Sequence, residues 1–310
     1  MSTPLTRNGE IVFVTGATGY VGSVVAEKLC TAGYTVRGLT RQAEGVDFLR
    51  DKGIEPVVGD VHDVDLMAKA ALGAHAVVHT AAPNDPTRFK SIEEMIDSVL
   101  RAVEIMVKTA QINDARLLVT SGTSVYGHTS GKIVDETAPL QPIPGTERLV
   151  QLETQLIERR QAYFIRPAVV YGRNQSAPML KFMDAIRDRG TPVLVNPENR
   201  LSIVEVDALA DLYQSILEAE EPPQLVNAVS AILGWPEVMN AVAKAVDASN
   251  EPEIIAPNEA MAFGGPAMYM PIDMAVSSEL AKSSLGWQPN GPTFEESLTK
   301  DRLRLQEKLP

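Results

Sequence analysis

Thr15-Gly16-Ala17-Thr18-Gly19-Tyr20-Val21-Gly22 stands between an apolar run, Ile11–Val14, and an apolar-periodic stretch, Tyr20–Ala32. A strand, a glycine-rich turn and a helix in that order form a grip for a dinucleotide. Gly16 permits the tight turn, Gly19 lets the backbone approach a pyrophosphate, and Gly22 lets helix and strand pack closely. The helix N-terminus adds N–H donors and partial positive charge for the phosphates. With Thr18, Tyr20 and Val21, these residues make the first half of a cofactor site.

The second strand, Thr35–Leu39, ends in Leu39-Thr40-Arg41. An NAD binder often carries Asp or Glu here, to accept bonds from the ribose 2′-hydroxyl. Arg41 can instead bond a 2′-phosphate through two N–H groups, which points to NADP, with NAD as the alternative. Gly59-Asp60-Val61 closes the third strand where the adenine edge lies, so Asp60 can accept from the adenine amino group. His79-Thr80-Ala81-Ala82-Pro83 ends the fourth, and its small residues leave room for a ribose.

Beyond this core the alternation continues. Pro56–Val58, Ala76–His79, Leu117–Thr120 and Tyr163–Arg166 read as strands. Ala43–Lys52, Val64–Leu72, Ile92–Gln111 and Glu147–Arg160 read as helices. Near-continuous apolar strands separated by helices imply a parallel sheet covered on both faces. The expected class is therefore α/β, a doubly wound Rossmann-like sheet, with a smaller discontinuous C-terminal substrate lobe. Residues 1–172 and 206–229 are assigned to the nucleotide domain, and 173–205 and 230–310 to the lobe. Residues 173–200 read as a loop-and-helix excursion, Val206–Ala219 as a helix and Leu225–Val229 as a returning strand. Helices follow around Trp235–Val246, Ser277–Ser284 and Phe294–Glu307.

With 28 Lys+Arg against 40 Asp+Glu, the formal net charge is −12. Such a surface repels phosphodiester backbones and anionic membranes, so neither is an expected partner. The lone cysteine, Cys30, forms no intrachain disulfide, the N-terminus is too polar for a signal peptide, and no apolar window spans a bilayer. The expected compartment is the cytoplasm. His62, His75, His79 and His128 are scattered without ligand spacing, so no metal is expected. Gly122-Thr123-Ser124-Val125-Tyr126 has serine at the wrong offset for a hydrolase elbow.

The chain resembles the extended short-chain dehydrogenase/reductase family, which includes the NAD-dependent epimerases and dehydratases. The resemblance covers nearly the whole chain. Its markers are TGATGYVG (Thr15–Gly22), GDVHD (Gly59–Asp63), VVHTAAP (Val77–Pro83), TSGTSVYG (Thr120–Gly127), IRPAVVYG (Ile165–Gly172), IVEVDALA (Ile203–Ala210) and LGWQP (Leu285–Pro289). It implies that Val61, Thr80, Ala81, Ala82, Arg166 and Pro167 join the cofactor site. These strings specify a fold rather than a reaction.

The family's usual chemistry uses a Ser or Thr that holds the substrate oxygen and a Tyr-x-x-x-Lys pair that trades the proton. Positions i and i+4 share a helix face, so the ammonium sits beside the phenol and lowers its pKa. Here the hydroxyl position reads Gly122. Matching Glu153 to the family's usual Glu puts Gly145 and Leu149 at the Tyr and Lys positions; a slip by one gives Pro144 and Arg148. An arginine keeps its proton at any ordinary pH.

Three readings follow. A different acid has taken over, with Tyr126, His128 and Tyr171 as candidates and Thr123 or Ser124 as the carbonyl's hydrogen-bond partner. Alternatively, the pocket runs non-redox chemistry, such as isomerisation, dehydration or cyclisation, by shape and a few donors. The third reading is a cofactor-binding regulatory protein without catalysis. The leading expectation is an NADP-binding enzyme acting on a small organic molecule. Arg173, Lys181, Arg187, Arg189 and Arg200 would suit an anionic substrate group. The stripe Ile92, Met95, Ile96, Val99, Leu100, Val103, Met106 and Val107, with Leu149, Leu152 and Leu156, points to a homodimer, because relatives pair these two helices across a two-fold axis.

Overall fold

The computed structural model describes residues 9–82, 89–249 and 251–307; the leader reading of the first eight residues and Pro83 lie outside them. In chain order the strands are β1 (Ile11–Thr15), β2 (Thr35–Thr40), β3 (Glu55–Val58), β4 (Ala74–His79), β5 (Arg116–Thr120), β6 (Tyr163–Pro167), β7 (Val169–Tyr171), β8 (Val193–Leu194), β9 (Arg200–Glu205), β10 (Leu225–Ala228), β11 (Ala231–Gly234) and β12 (Glu253–Ile254). The helices are α1 (Tyr20–Thr31), α2 (Glu44–Asp51), α3 (Val64–Ala70), α4 (Ile92–Ile112), α5 (Glu147–Glu158), α6 (Ala177–Arg189), α7 (Val206–Glu218), α8 (Trp235–Val246), α9 (Pro257–Ala260), α10 (Glu279–Leu285) and α11 (Phe294–Glu307).

The chain folds as two compact units. The first comprises Met1–Ser121, Pro142–Arg166 and Ala210–Val226; the second comprises Gly122–Gln141, Pro167–Leu209 and Asn227–Pro310. The central sheet is parallel and seven-stranded, in the order β10-β6-β5-β4-β1-β2-β3. This is the doubly wound arrangement expected. Val12, Phe13 and Val14 in β1 and Ala76, Val77 and Val78 in β4 are all buried, with no alternation, because helices cover both faces. Phe13, Met67, Val77, Met106, Leu117 and Phe164 form the heart of the core of the first unit.

Local chemistry fixes the helix starts that border the site. Gly19 is the N-cap of α1 in an extended conformation, and no acidic side chain occupies that first turn. Asp63 caps α3 by accepting from the Leu66 N–H, and Ser91 caps α4 by accepting from the Glu94 N–H; each such cap contributes about 1 kcal/mol. Part of the wide apolar stripe of α4 is buried inside the unit, where α4 packs on α3, α5, β4 and β5, while Ile92 at its start stays exposed. Ile96, Val103 and Met106 are buried there, while Glu93, Glu94, Asp97, Arg101, Glu104 and Lys108 form its exposed face.

In the second unit a three-stranded sheet runs β11-β9-β7, β9 pairing antiparallel with β11 and parallel with β7. Helices α6, α8 and α11 enclose Met179, Phe182, Ile186, Trp235, Val242 and Phe294. This small sheet differs from the helix-and-loop reading of the C-terminal sequence. β7 and β11 are three and four residues long, too short for period-2 alternation to stand out, and β9 is buried along nearly its whole length and shows none.

Candidate functional site

A cavity of about 470 Å³ in the first unit is lined by Gly16, Thr18, Gly19, Tyr20, Val21, Gly22, Arg41, Asp60, Val61, Thr80, Ala81 and Ala82. Leu39, Thr40, His62, Phe89, Ser98, Val99 and Ala102 complete its wall. Twelve of the fourteen residues read from the sequence as cofactor-binding are thereby brought together. Arg166 and Pro167 are not among the lining residues. Arg166 is buried and donates to Glu153 through Nε at 2.7 Å, and Ser121 Oγ donates to the same carboxylate.

The glycine-rich turn is as tight as its sequence implies. Gly16 sits at φ +75°, and the Gly19 N–H returns to the Gly16 carbonyl at 2.8 Å. A Cβ on Gly22 would lie 2.2 Å from Gly16 O and 2.3 Å from Thr80 Oγ1. The Thr80 hydroxyl is itself held by Thr15 O at 2.8 Å. A small residue at Gly22 is therefore what lets the first turn of α1 press against the end of β1. The amides of that turn have no intrahelical acceptors and carry the positive end of the helix dipole. The cavity's size, its donor-rich floor and the absence of acidic side chains in the first turn of α1 fit a bound diphosphate.

Charge around the cavity is mixed. Arg41 lines the wall at the end of β2 and is exposed. Asp60 accepts from the His62 backbone N–H at 2.9 Å and from His62 Nδ1 at 2.8 Å. The backbone bond first, then the His62 ring and Arg41, hold the Asp60 carboxyl below the usual carboxylate range. His62, absent from the sequence-based set, reaches across to α4, with Nε2 3.1 Å from Ser98 O. The string Gly59–Asp63 contains it, but its side chain's partner lies 36 positions away, beyond local sequence reading.

Of the residues considered for chemistry, Ser124, Tyr126, His128 and Tyr171 have partners within the second unit. Thr123–Tyr126 forms a 3₁₀ turn in which Thr123 and Tyr126 are buried. The Tyr126 hydroxyl donates to Asn227 Oδ1 at 2.9 Å. The Tyr171 hydroxyl donates to Pro292 O, and burial pushes its pKa up to about 12. His128 Nδ1 accepts from the Asp273 N–H at 2.8 Å. Ser124 hydrogen-bonds the half-buried Tyr269.

Gly145 precedes the first turn of α5 at φ +92°, and Leu149 is half-buried. Arg148, the alternative register, pairs with Asp97 of α4 on the surface. Of the cations considered for an anionic substrate group, Arg173 pairs with Asp207, Arg187 with Asp184 and Asp188, Arg189 with Glu253, and Arg200 with Asp273. Among the described residues no cluster of His, Cys, Asp and Glu could hold a metal, and no helix is long and apolar enough to cross a membrane.

The profile of the NAD dependent epimerase/dehydratase family matches residues 12–228. Uncharacterized protein C2A9.02 of Schizosaccharomyces pombe is 28% identical over 300 residues, 94% of this chain and 98% of that one. A ketoreductase of Stigmatella aurantiaca, acting on 4-hydroxy-2-methyl-3-oxo-4-farnesyl-3,4-dihydroquinoline-1-oxide, is 24% identical over 185 residues, 57% of this chain and 55% of its own. The solved dTDP-glucose 4,6-dehydratase DesIV of Streptomyces venezuelae, a double mutant with NAD bound, superposes with a TM-score of 0.76 at 19% identity, covering 96% of this chain and 97% of that one.

Proposed function

The chain belongs to the NAD dependent epimerase/dehydratase family, and on that premise we propose that it is an NADP-binding enzyme that reduces or epimerises a carbonyl or hydroxyl of a small organic molecule without the family's usual Tyr–Lys pair. The observation that carries the cofactor half is a cavity built on the glycine-rich turn with Arg41 on its wall at the end of β2. A guanidinium there matches the phosphate that distinguishes NADP from NAD, and the diphosphate lies on the amides of α1. When bound, the nicotinamide supplies or accepts a hydride; the chain's own part is to bind, to orient and to exclude water. The oxidoreductase half draws support from the ketoreductase relative.

Gly145 and Leu149 favour a second reading, because neither can trade a proton. On it the same scaffold isomerises, dehydrates or cyclises its substrate with no net redox change.

Calorimetric titration of NADP and NAD tests the cofactor assignment. NADP is expected to bind more tightly, and Arg41→Ala to weaken NADP by about 10- to 100-fold while leaving NAD nearly unchanged. Equal affinities in the unaltered protein would remove Arg41 from the assignment. Nicotinamide absorbance during substrate turnover then separates the two chemistries, with isotope-labelled cofactor to catch an epimerase that restores it.

A further inference from the structure

His62 stands between two oxygen acceptors that belong to different walls of the cavity. Its Nδ1 is 2.8 Å from Asp60 Oδ1, on the loop after β3, and its Nε2 is 3.1 Å from the Ser98 carbonyl of α4. A carboxylate held below its usual pKa accepts and does not donate, and a backbone carbonyl can never donate. Both ring nitrogens therefore need a proton for both contacts to be hydrogen bonds. Ser98 Oγ, 3.3 Å from Nε2, offers the competing arrangement, in which a neutral ring accepts from the hydroxyl. The shorter contact is the one to the carbonyl.

We propose that His62 is a cofactor-positioning residue that works as an imidazolium, tying Asp60 to α4 and cancelling the carboxylate's charge beside a bound dinucleotide. The inference rests on the cofactor reading above. Asp60 keeps Oδ2 for a ligand donor such as an adenine amino group, while Oδ1 is taken by His62. Without the imidazolium, Arg41 alone would offset the carboxylate's charge beside an anionic ligand. The titratable groups that bear on His62 are few. Asp60 and Arg41 share its cavity; His79 lies within electrostatic range but is kept neutral by burial; Asp63 is engaged in capping α3; on α4, Asp97 is engaged with Arg148. What α4 presents to the cavity is uncharged: Ser98, Val99 and Ala102.

Raising the pH strips an imidazolium of its second ring proton, so dinucleotide affinity carries its signature. The test uses the purified full chain, with NAD and NADP titrated calorimetrically from pH 5.5 to 8.5; NAD lacks the 2′-phosphate, whose own titration would confuse the profile. Affinity of the unaltered protein should fall about fivefold as pH rises across that range, the scale of a partly exposed charge pair. His62→Gln should be flat at the weaker value, and His62→Arg, a permanent cation with the same two acceptors in reach, flat at the tighter one. Nitrogen-15 spectra of the histidine rings should show both His62 nitrogens protonated in the complex at pH 6. A His62→Gln profile parallel to the unaltered protein's, or a neutral ring in the complex at pH 6, overturns the proposal while leaving the cofactor site intact. Failure of the unaltered protein to bind either dinucleotide at any pH overturns the cofactor reading and this inference together.

Discussion

Thr15 Oγ1 lies 2.7 Å from His79 Nδ1, and both side chains are buried at the ends of adjacent strands β1 and β4. Burial, with a smaller contribution from the charge of His62, pushes the His79 pKa down to about 4, so the ring is neutral at physiological pH. In the unfolded chain a histidine titrates near 6.5. Between those values the unfolded state binds a proton that the folded state refuses, so stability is complete above about pH 6.5 and declines as pH falls toward 4. The shift corresponds to roughly 3 kcal/mol. Urea unfolding at a series of pH values should show this acid-side loss, and His79→Gln should flatten it. Equal slopes in the two proteins would remove His79 from the account.

Gly22→Ala tests the glycine-rich turn without altering any charge. The added methyl meets the Gly16 carbonyl at 2.2 Å, and that oxygen belongs to backbone with little room to yield. The turn must open or α1 must move away. We expect a loss of about 1–3 kcal/mol in stability, as for overpacking, and a dinucleotide affinity at least tenfold weaker by calorimetry. Retention of full affinity would mean that the first turn of α1 does not grip the ligand.

Restoring the family's pair is a sharper test of the catalytic reading. Gly145→Tyr combined with Leu149→Lys should not create nicotinamide-linked turnover. Gly145 stands outside α5 at φ +92°, so the phenol would not share a helix face with the new ammonium. The backbone there would also be strained by a side chain. A gain of cofactor oxidation with a panel of ketones and aldehydes would show that the segment can refold into a standard site.

How much of this was legible beforehand depended on the range of each signal. The turn at Gly16–Gly22, Arg41 after β2 and Asp60 after β3 each sit at a strand end, and their spacing is local, so the residues around the cavity could be named from strand, turn and helix order alone. Arg166 was assigned by string similarity. Its burial against Glu153 depends on a partner 13 residues back on α5, which no local pattern reveals. Tyr126 illustrates the same limit more strongly, since its hydroxyl partner, Asn227, is 101 positions away. In the small sheet, β7 and β11 were missed because they are short, and β9 because five buried residues in a row leave no alternation to read. The width of the α4 stripe was visible in the sequence, but not the four elements that α4 packs on.

The first unit is not finished where its last motif ends. Its third segment, Ala210–Val226, follows more than forty residues assigned to the other unit, and β10, which opens at Leu225, supplies the outer strand beside β6. Synthesis therefore runs ahead of assembly: a nascent chain bearing the whole glycine-rich turn still has an unpaired β6 edge until residue 228 has left the ribosome. An exposed parallel edge of that kind invites pairing with other chains. Expression fragments that stop near Gly172 should consequently aggregate, whereas those carried past β10 gain the strand that closes the edge.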